Sequence, residues 1–437
     1  MKLPTFRGGV HPPERKELSQ NASLTVLPLP ETVYVFLANH AGIPAKPVVK
    51  TGDKVKTGQL IAESGGFISA HLHSPVTGEV REIAKYYHPT LSKPEDAIVI
   101  QRTSEDDWEL LGGTGSCDDF SSREIVDRIQ RAGIVGLGGA MFPTNVKLSP
   151  PAEKKIDLLV INGAECEPYL TIDYRYMLER SEGIIEGTRA IMKALGVSRA
   201  IIGIEDNKPE AISKMKVASN GSNIVVKALK TKYPQGAEKQ LIYALEKRVV
   251  PSGGLPLDVG VVVDNVGTAY AVYEALEAGR PLVERGVTLT GEGLKNPMNV
   301  VARIGTMTQE LIEFAGGMLE GVDRVVFGGP MMGVTIPKLD VPIVKGTSGV
   351  TVMKETAPLE EFPCIRCGRC TFVCPMNLQP FLLNLYGSNR LYDKAVENGL
   401  MDCIECGSCS YGCPANIELV KRSEERRVGK ECRSRWA

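Results

Sequence analysis

Hydrophobic and polar positions change texture along the chain. Up to about residue 105 the apolar residues come in short alternating runs, such as Val33 to Leu37 and Ala97 to Gln101, broken by proline and glycine. A period of two predicts half-buried strands, hence a small all-β unit over residues 1–110. From about 118 to 280 longer segments alternate. Ile156 to Ile161, Ala200 to Ile204, Asn223 to Ala228 and Val259 to Val263 suit strands, while Gly183 to Gly196, Lys239 to Arg248 and Thr268 to Ala278 suit helices. Strands alternating with helices predict an open, largely parallel α/β sheet over 111–284, with its ligand beyond the carboxyl ends of the strands. Residues 285–352 return to short strands around one helix, Thr308 to Phe314. From 353 to 420, leucines at helical spacing in Leu378 to Leu385 and Leu391 to Leu400 predict short helices.

Composition narrows the function classes. With 51 lysines and arginines against 52 acidic residues, no global field recruits nucleic acid or anionic lipid. No apolar stretch approaches the roughly 20 residues needed to cross a bilayer, so any membrane attachment is expected through other subunits. All five histidines, His11, His40, His71, His73 and His88, fall in the first part of the chain. The rest must work without imidazole, which suits chemistry carried by a redox cofactor. The tail at 421–437 is basic and without periodicity, and is expected not to be native structure.

Eight of the eleven cysteines repeat one spacing: Cys364, Cys367, Cys370 and Cys374 before Pro375, then Cys403, Cys406, Cys409 and Cys413 before Pro414. Each run reads C-x2-C-x2-C-x3-C-P, in which three thiolates curl around one iron–sulfur cubane and the fourth points to another. Zinc sites usually come as two pairs across a loop, and Cys364 and Cys367 are too close for an unstrained disulfide. The expectation is two 4Fe-4S clusters with exchanged ligands. Cluster I takes Cys364, Cys367, Cys370 and Cys413; cluster II takes Cys403, Cys406, Cys409 and Cys374. Cysteines kept as cluster ligands imply a reducing compartment. Cys117, Cys166 and Cys432 stand outside the pattern and read as fillers.

Clusters pass electrons singly, so a two-electron donor needs a converter, commonly a flavin. The candidate is the glycine-rich stretch Gly136 to Lys147. Its glycines let backbone N–H groups close on a phosphate or ring, Phe142 offers a stacking face and Lys147 a positive charge. Asn162-Gly-Ala-Glu165-Cys-Glu167-Pro168, Tyr233-Pro-Gln-Gly236-Ala-Glu238 and Asp264-Asn265-Val-Gly-Thr268 each fall at or near a predicted strand end. Together these four stretches resemble the flavin site of the flavoprotein subunit of respiratory complex I. That resemblance implies FMN held by Gly136, Gly138, Gly139, Ala140, Lys147, Asn162, Glu165, Gly236, Asn265 and Thr268. It implies contacts to NADH from Phe142, Glu167, Tyr233 and Glu238, with Phe142 and Tyr233 as the ring clamp. Leu137 and Ala237 depart from it, standing where arginine and glutamate are common. For the acidic residues, the plain alternative is a helix cap or a solvated turn.

In the first unit, Gly42 to Ala62 and His73 to Val80 look like the paired hairpins of a biotinyl/lipoyl-type barrel sandwich. The stretch where the carrier lysine would stand, Ser64 to His73, contains no lysine, so a non-carrier role is expected. The order of parts is barrel-sandwich hybrid, FMN/NAD α/β domain, small β-grasp (SLBB-like) domain and helical double-cluster ferredoxin. It resembles the RnfC family, the C subunit of the Rnf electron transport complexes, over about residues 1 to 420. The resemblance implies a peripheral subunit of a membrane-bound, ion-translocating ferredoxin:NAD oxidoreductase. Such a subunit lies on the cytoplasmic face beside membrane subunits and an iron–sulfur acceptor. Alternatives are a cobalamin reductase serving B12-dependent diol utilisation, which has a similar layout, and an electron-wiring module without flavin.

Overall fold

The computed structural model describes residues 2–355 and 360–420, so Pro358 and the 421–437 tail, with Cys432, lie outside the described residues. The apolar run at 156–161 forms the inner strand Leu158–Gly163 of a four-stranded parallel sheet. Ala200–Glu205 and then Ile224–Leu229 lie on one side, and Val261–Asn265 lies on the other. Alternate residues feed opposite faces. Leu159, Ile161, Ile202 and Ile204 pack under the helices Ser181–Leu195 and Val266–Glu277, while Leu158, Val160, Ile201 and Val263 pack with Leu241 and Ile242 of the helix Glu238–Glu246. Burial on both faces explains why these strands read as continuous apolar runs. The winding reverses between Leu158–Gly163 and Val261–Asn265. At such a reversal a crevice opens beyond the strand ends.

Element ends differ from the pattern by a few residues, for local reasons. The helix expected from Thr268 starts at Val266, because the Asn265 side chain caps it by accepting from Gly267 N at 2.8 Å. Val259 belongs to the 3-10 turn Pro256–Val259, and the strand begins at Val261 after Gly260.

The first unit pairs a four-stranded sheet, in the order Thr32–Phe36, Lys93–Arg102, Gly78–His88 and Lys54–Val55, with a three-stranded one, Lys46–Pro47, Leu60–Glu63 and Leu72–His73. Val33, Val35, Ile61, Leu72, Ile98 and Ile100 fill the space between. The N-terminal segment departs from the expected all-β unit. Val10 bridges to Tyr233 in the α/β domain, and Leu24–Val26 pairs in parallel with Met298–Arg303. That strand edges a six-stranded mixed sheet running on through Glu284–Thr290, Gly349–Lys354, Val322–Phe327 and Val334–Ile336, packed on the helix Thr308–Phe314. The last part carries short helices, Arg369–Val373, Pro380–Ser388, Tyr392–Glu397 and Ser408–Tyr411. Among the described residues no helix is long and apolar enough to cross a membrane.

Three of these parts meet on one ammonium group. Lys345 is 2% exposed and donates from Nζ to the carbonyls of His71 at 3.0 Å and Gly133 at 2.7 Å, while its backbone N–H donates to Asn39 Oδ1 at 2.8 Å. Burial lowers it from 10.5 to about 7. His40, His71 and His73 nearby are held below the usual histidine range, first by burial and also by Lys345. Because the folded value lies below the unfolded one, the unfolded chain binds the extra proton between about 7 and 10.5. Stability therefore rises with pH through that window. Thermal unfolding followed by circular dichroism should show Lys345→Met flattening that rise relative to the wild type.

Candidate functional site

The crevice at the winding reversal is built from the four stretches singled out above. Asn162 and Asn265 are direct neighbours at the ends of adjacent strands. Asn162 Nδ2 donates to Gly236 O at 2.9 Å, which draws the segment at 233–238 to the same strand end. The glycine loop lies over the start of the helix Val266–Glu277: Leu137 N donates to Thr268 Oγ1 at 2.9 Å, and a side chain on Gly138 would touch Asn265. Gly138, Gly139 and Ala140 form its exposed rim, and Phe142 is half-buried behind them. Gly139 has φ +123° with open space where a Cβ would be, so backbone conformation demands the glycine. Among the described residues, the N–H groups of Gly138, Gly139 and Ala140 have no protein partner. Free amides at a helix start, with a lysine below, fit a phosphate-bearing group such as FMN.

Lys147 supplies that charge from within. Its Nζ donates to Val263 O at 2.9 Å and to Glu238 Oε1 at 3.2 Å. Burial opposes its charge, but Asp264 and Glu238 outweigh burial and hold the ammonium above its ordinary range. Asp264 is 3% exposed and is raised by burial against the pull of Lys147.

Three expected contacts are used differently. Glu165 accepts from Asp173 N at 2.7 Å and Tyr174 N at 3.3 Å, so it caps the helix Ile172–Glu179, the plainer alternative for an acidic residue at a strand end. Glu167 accepts from Met331 N at 2.6 Å and Met332 N at 3.2 Å; burial pushes it up to about 7. Tyr233 is 2% exposed, packed with Val10, Val373 and Cys406. Its ring is therefore buried in this structure, on the cluster side of the turn.

Several residues that shape the site carry no motif. Lys16 Nζ donates to the carbonyls of Glu165 at 2.9 Å, Glu167 at 3.0 Å and Leu170 at 2.6 Å. Lys208 Nζ donates to Ala164 O at 2.7 Å. Together they hold the turn at 162–170 from below, and burial, then Lys208, lowers Lys16. Arg285, 2% exposed, donates to Leu137 O at 2.7 Å under the glycine loop. These contacts join residues far apart in the chain, so no local spacing could announce them.

Cys374, Cys403, Cys406 and Cys409 line one pocket, bordered by Pro375, Leu378, Leu383, Ile404 and Leu419. Burial, then the charges of Cys406 and Cys403, pushes Cys374 up to about 11; burial, then Cys403, Cys406 and Cys374, pushes Cys409 up to about 12. Cys413 is close enough to raise Cys370 after burial has done so. Clustered thiols so reluctant to ionise suit a cationic centre that binds them as thiolates. Among the described residues no three His, Cys, Asp or Glu side chains converge as one metal ion requires, and these four cysteines share the lining of one pocket.

Fold and sites define a flavin and iron–sulfur oxidoreductase subunit. Residues 129–274 match the Nuo51 FMN-binding domain and 359–414 the 4Fe-4S dicluster domain; 4–105 match the RnfC barrel sandwich hybrid domain and 287–335 the SLBB domain. The chain is 48% identical over 398 residues to the C subunit of the proton-translocating ferredoxin:NAD(+) oxidoreductase complex of Clostridium ljungdahlii, covering 90% of this chain and 87% of that one. It is 44% identical to the C subunit of the Na(+)-translocating counterpart from Acetobacterium woodii, covering 92% and 91%. It is 42% identical to the C subunit of the ion-translocating oxidoreductase complex of Rhodobacter capsulatus, covering 91% and 78%. The chain belongs to this family, the RnfC proteins. It shares its fold with a chain of an NAD+-reducing [NiFe]-hydrogenase at 18% identity and a TM-score of 0.50, over 71% of this chain and 66% of that one.

Replacing Lys16 by Met would remove the side-chain donor from three carbonyls, one of them buried and two part-buried. It should lower stability by about 3 kcal/mol, read by denaturant unfolding. The same experiment on the exposed Lys2 should show no comparable change.

Proposed function

We propose that the chain is the nucleotide-handling subunit of an ion-translocating ferredoxin:NAD oxidoreductase, peripheral on the cytoplasmic face. Gly136, Gly138, Gly139, Ala140, Lys147, Asn162, Gly236, Asn265 and Thr268 hold FMN, which when bound exchanges hydride with NADH and releases electrons singly. The free amides of the glycine rim face the phosphate or ring. Lys147, kept charged by Asp264 and Glu238, sets the local potential. Phe142 offers its ring to the nucleotide, and Glu238, paired with Lys147, meets it as well. Glu165 and Glu167 act as positioning residues: one caps a helix behind the crevice, the other ties the turn to residues 331–332. Cys364, Cys367, Cys370 and Cys413 hold one cluster; Cys403, Cys406, Cys409 and Cys374 hold the other. Electrons leave to an iron–sulfur partner, and other subunits cross the membrane and move the ion.

The convergence of four separated stretches at the winding reversal carries this reading, because each alone is a common turn. Anaerobic iron, sulfide and flavin analysis of the reconstituted full chain should find one FMN and about eight irons, as two 4Fe-4S clusters require. Lys147→Ala should weaken FMN binding about tenfold or more, read by flavin fluorescence quenching. Zinc in place of iron, or NADH that leaves the flavin oxidised, would sink the reading. Cys374→Ser should remove the cluster of the opposite cysteine run, seen as loss of its EPR signal with the other retained.

A further inference from the structure

The two cysteine runs are alike in spacing, yet the fold surrounds them differently. The second run places its one buried cysteine against the α/β domain. Cys406 is 6% exposed and packs with Tyr233, Val10 and Val373, with Cys166, Met331 and Ile404 around them. Cys166 in turn accepts from Gly236 N at 3.2 Å, at the wall of the flavin crevice. Cys374, which shares a cavity with this run, is held on the same side. Gly8, at φ +78°, packs so closely that a Cβ would stand 2.6 Å from Cys374 O, and Gln240 Nε2 donates to Pro375 O at 3.3 Å. Ser252 Oγ donates to Asp402 Oδ2 at 2.6 Å beside Cys403.

The first run opens outward at its first two cysteines, while Cys370 and Cys374 are buried. Cys364 and Cys367 are exposed. Around them Phe362 is 51%, Ile365 68% and Phe372 80% exposed, and Arg366 and Arg369, interleaved with the cysteines, are exposed as well. Exposed apolar side chains flanking the exposed cysteines in this way point to an interaction surface.

We propose a fixed order: the cluster on Cys403, Cys406, Cys409 and Cys374 exchanges electrons with the flavin crevice, and the cluster on Cys364, Cys367, Cys370 and Cys413 exchanges them with the partner. Phe362, Ile365, Arg366, Arg369 and Phe372 form the docking face for an iron–sulfur protein that is acidic around its own cluster. This rests on the function proposed above. The occupant follows from position and charge. The face flanks the exposed cysteines of the outer cluster; Glu360 and Glu361 border it before Phe362, while Arg366 and Arg369, set among the cysteines themselves, favour carboxylates opposite the cluster. Redox encounters need only a small interface, so a compact patch suffices. In the direction of NADH oxidation, NADH would give its hydride to the FMN held at the crevice and become NAD+, and the reduced FMN would pass its two electrons on singly. The inner cluster is reduced by one electron and reoxidised as the outer one is reduced, and the outer one is reoxidised by the acceptor. Two such passes reduce two acceptor centres by one electron each and release one proton to solvent. In the other direction the order reverses.

The test uses the reconstituted full chain and a bacterial two-cluster ferredoxin as probe. In Cys409→Ser, dithionite should still reduce the outer cluster by EPR while NADH no longer does. In Cys367→Ser, NADH should still reduce the remaining inner cluster. The opposite pattern overturns the order. Calorimetric binding of the ferredoxin should weaken about tenfold in R366E/R369E and lose most of its salt dependence, with iron content unchanged; an unchanged Kd overturns the docking face. If NADH reduces neither cluster in the wild type but charge reversal still weakens ferredoxin binding, the docking face stands and the proposed function falls with the order.

Discussion

Two buried ammonium groups under one turn hold the site together. A parallel strand ends with its carbonyls unpaired, and the turn at 162–170 would leave several of them in a dry interior. Lys16 takes three and Lys208 a fourth. Unmade hydrogen bonds inside a protein cost far more than made ones gain. With its backbone satisfied from below, the turn can aim its side chains apart. Asn162 reaches the crevice, Glu165 a helix, Cys166 the packing beside Cys406, and Glu167 the loop at residues 331–332.

That arrangement explains how four parts act as one conductor. The glycine loop rests on the helix that Asn265 caps, and Arg285 from the mixed sheet grips the loop from behind. The N-terminal segment crosses from the cluster loops to Tyr233 and on to the mixed sheet. Short redox distances need dry, rigid contacts, and each junction supplies one from buried polar groups whose partners lie in another part. Lys345 is such a case at the far side of the molecule, with three parts sharing its hydrogen bonds.

Much of this was legible in advance. The continuous apolar runs announced doubly covered strands, and those at 156–161 and 200–204 formed within two residues of where the pattern put them. The glycine loop and the polar strand ends were singled out by residue type and position, and the structure brings them together at the winding reversal. Glu165, Glu167 and Tyr233 could not be assigned that way. An acidic residue after a strand serves equally to cap a helix or to meet a ligand, and only the position of Ile172–Glu179 and of residues 331–332 decides. The tyrosine is hidden by Val10 and Val373, which lie far from it in the chain.

By itself, the sequence determined the chemistry: two identical cysteine runs, a glycine loop, polar strand ends, and no histidine beyond residue 88. Those follow from residue type at short range, where spacing and geometry are nearly the same thing. Tertiary structure alone decided that the runs are unequal: Cys406 of the second is buried beside Tyr233, while Cys364 and Cys367 of the first are exposed, as are Ile365 and Phe372. Burial is a sum over distant neighbours, so two copies of one spacing acquire different surroundings only when the chain has folded around them.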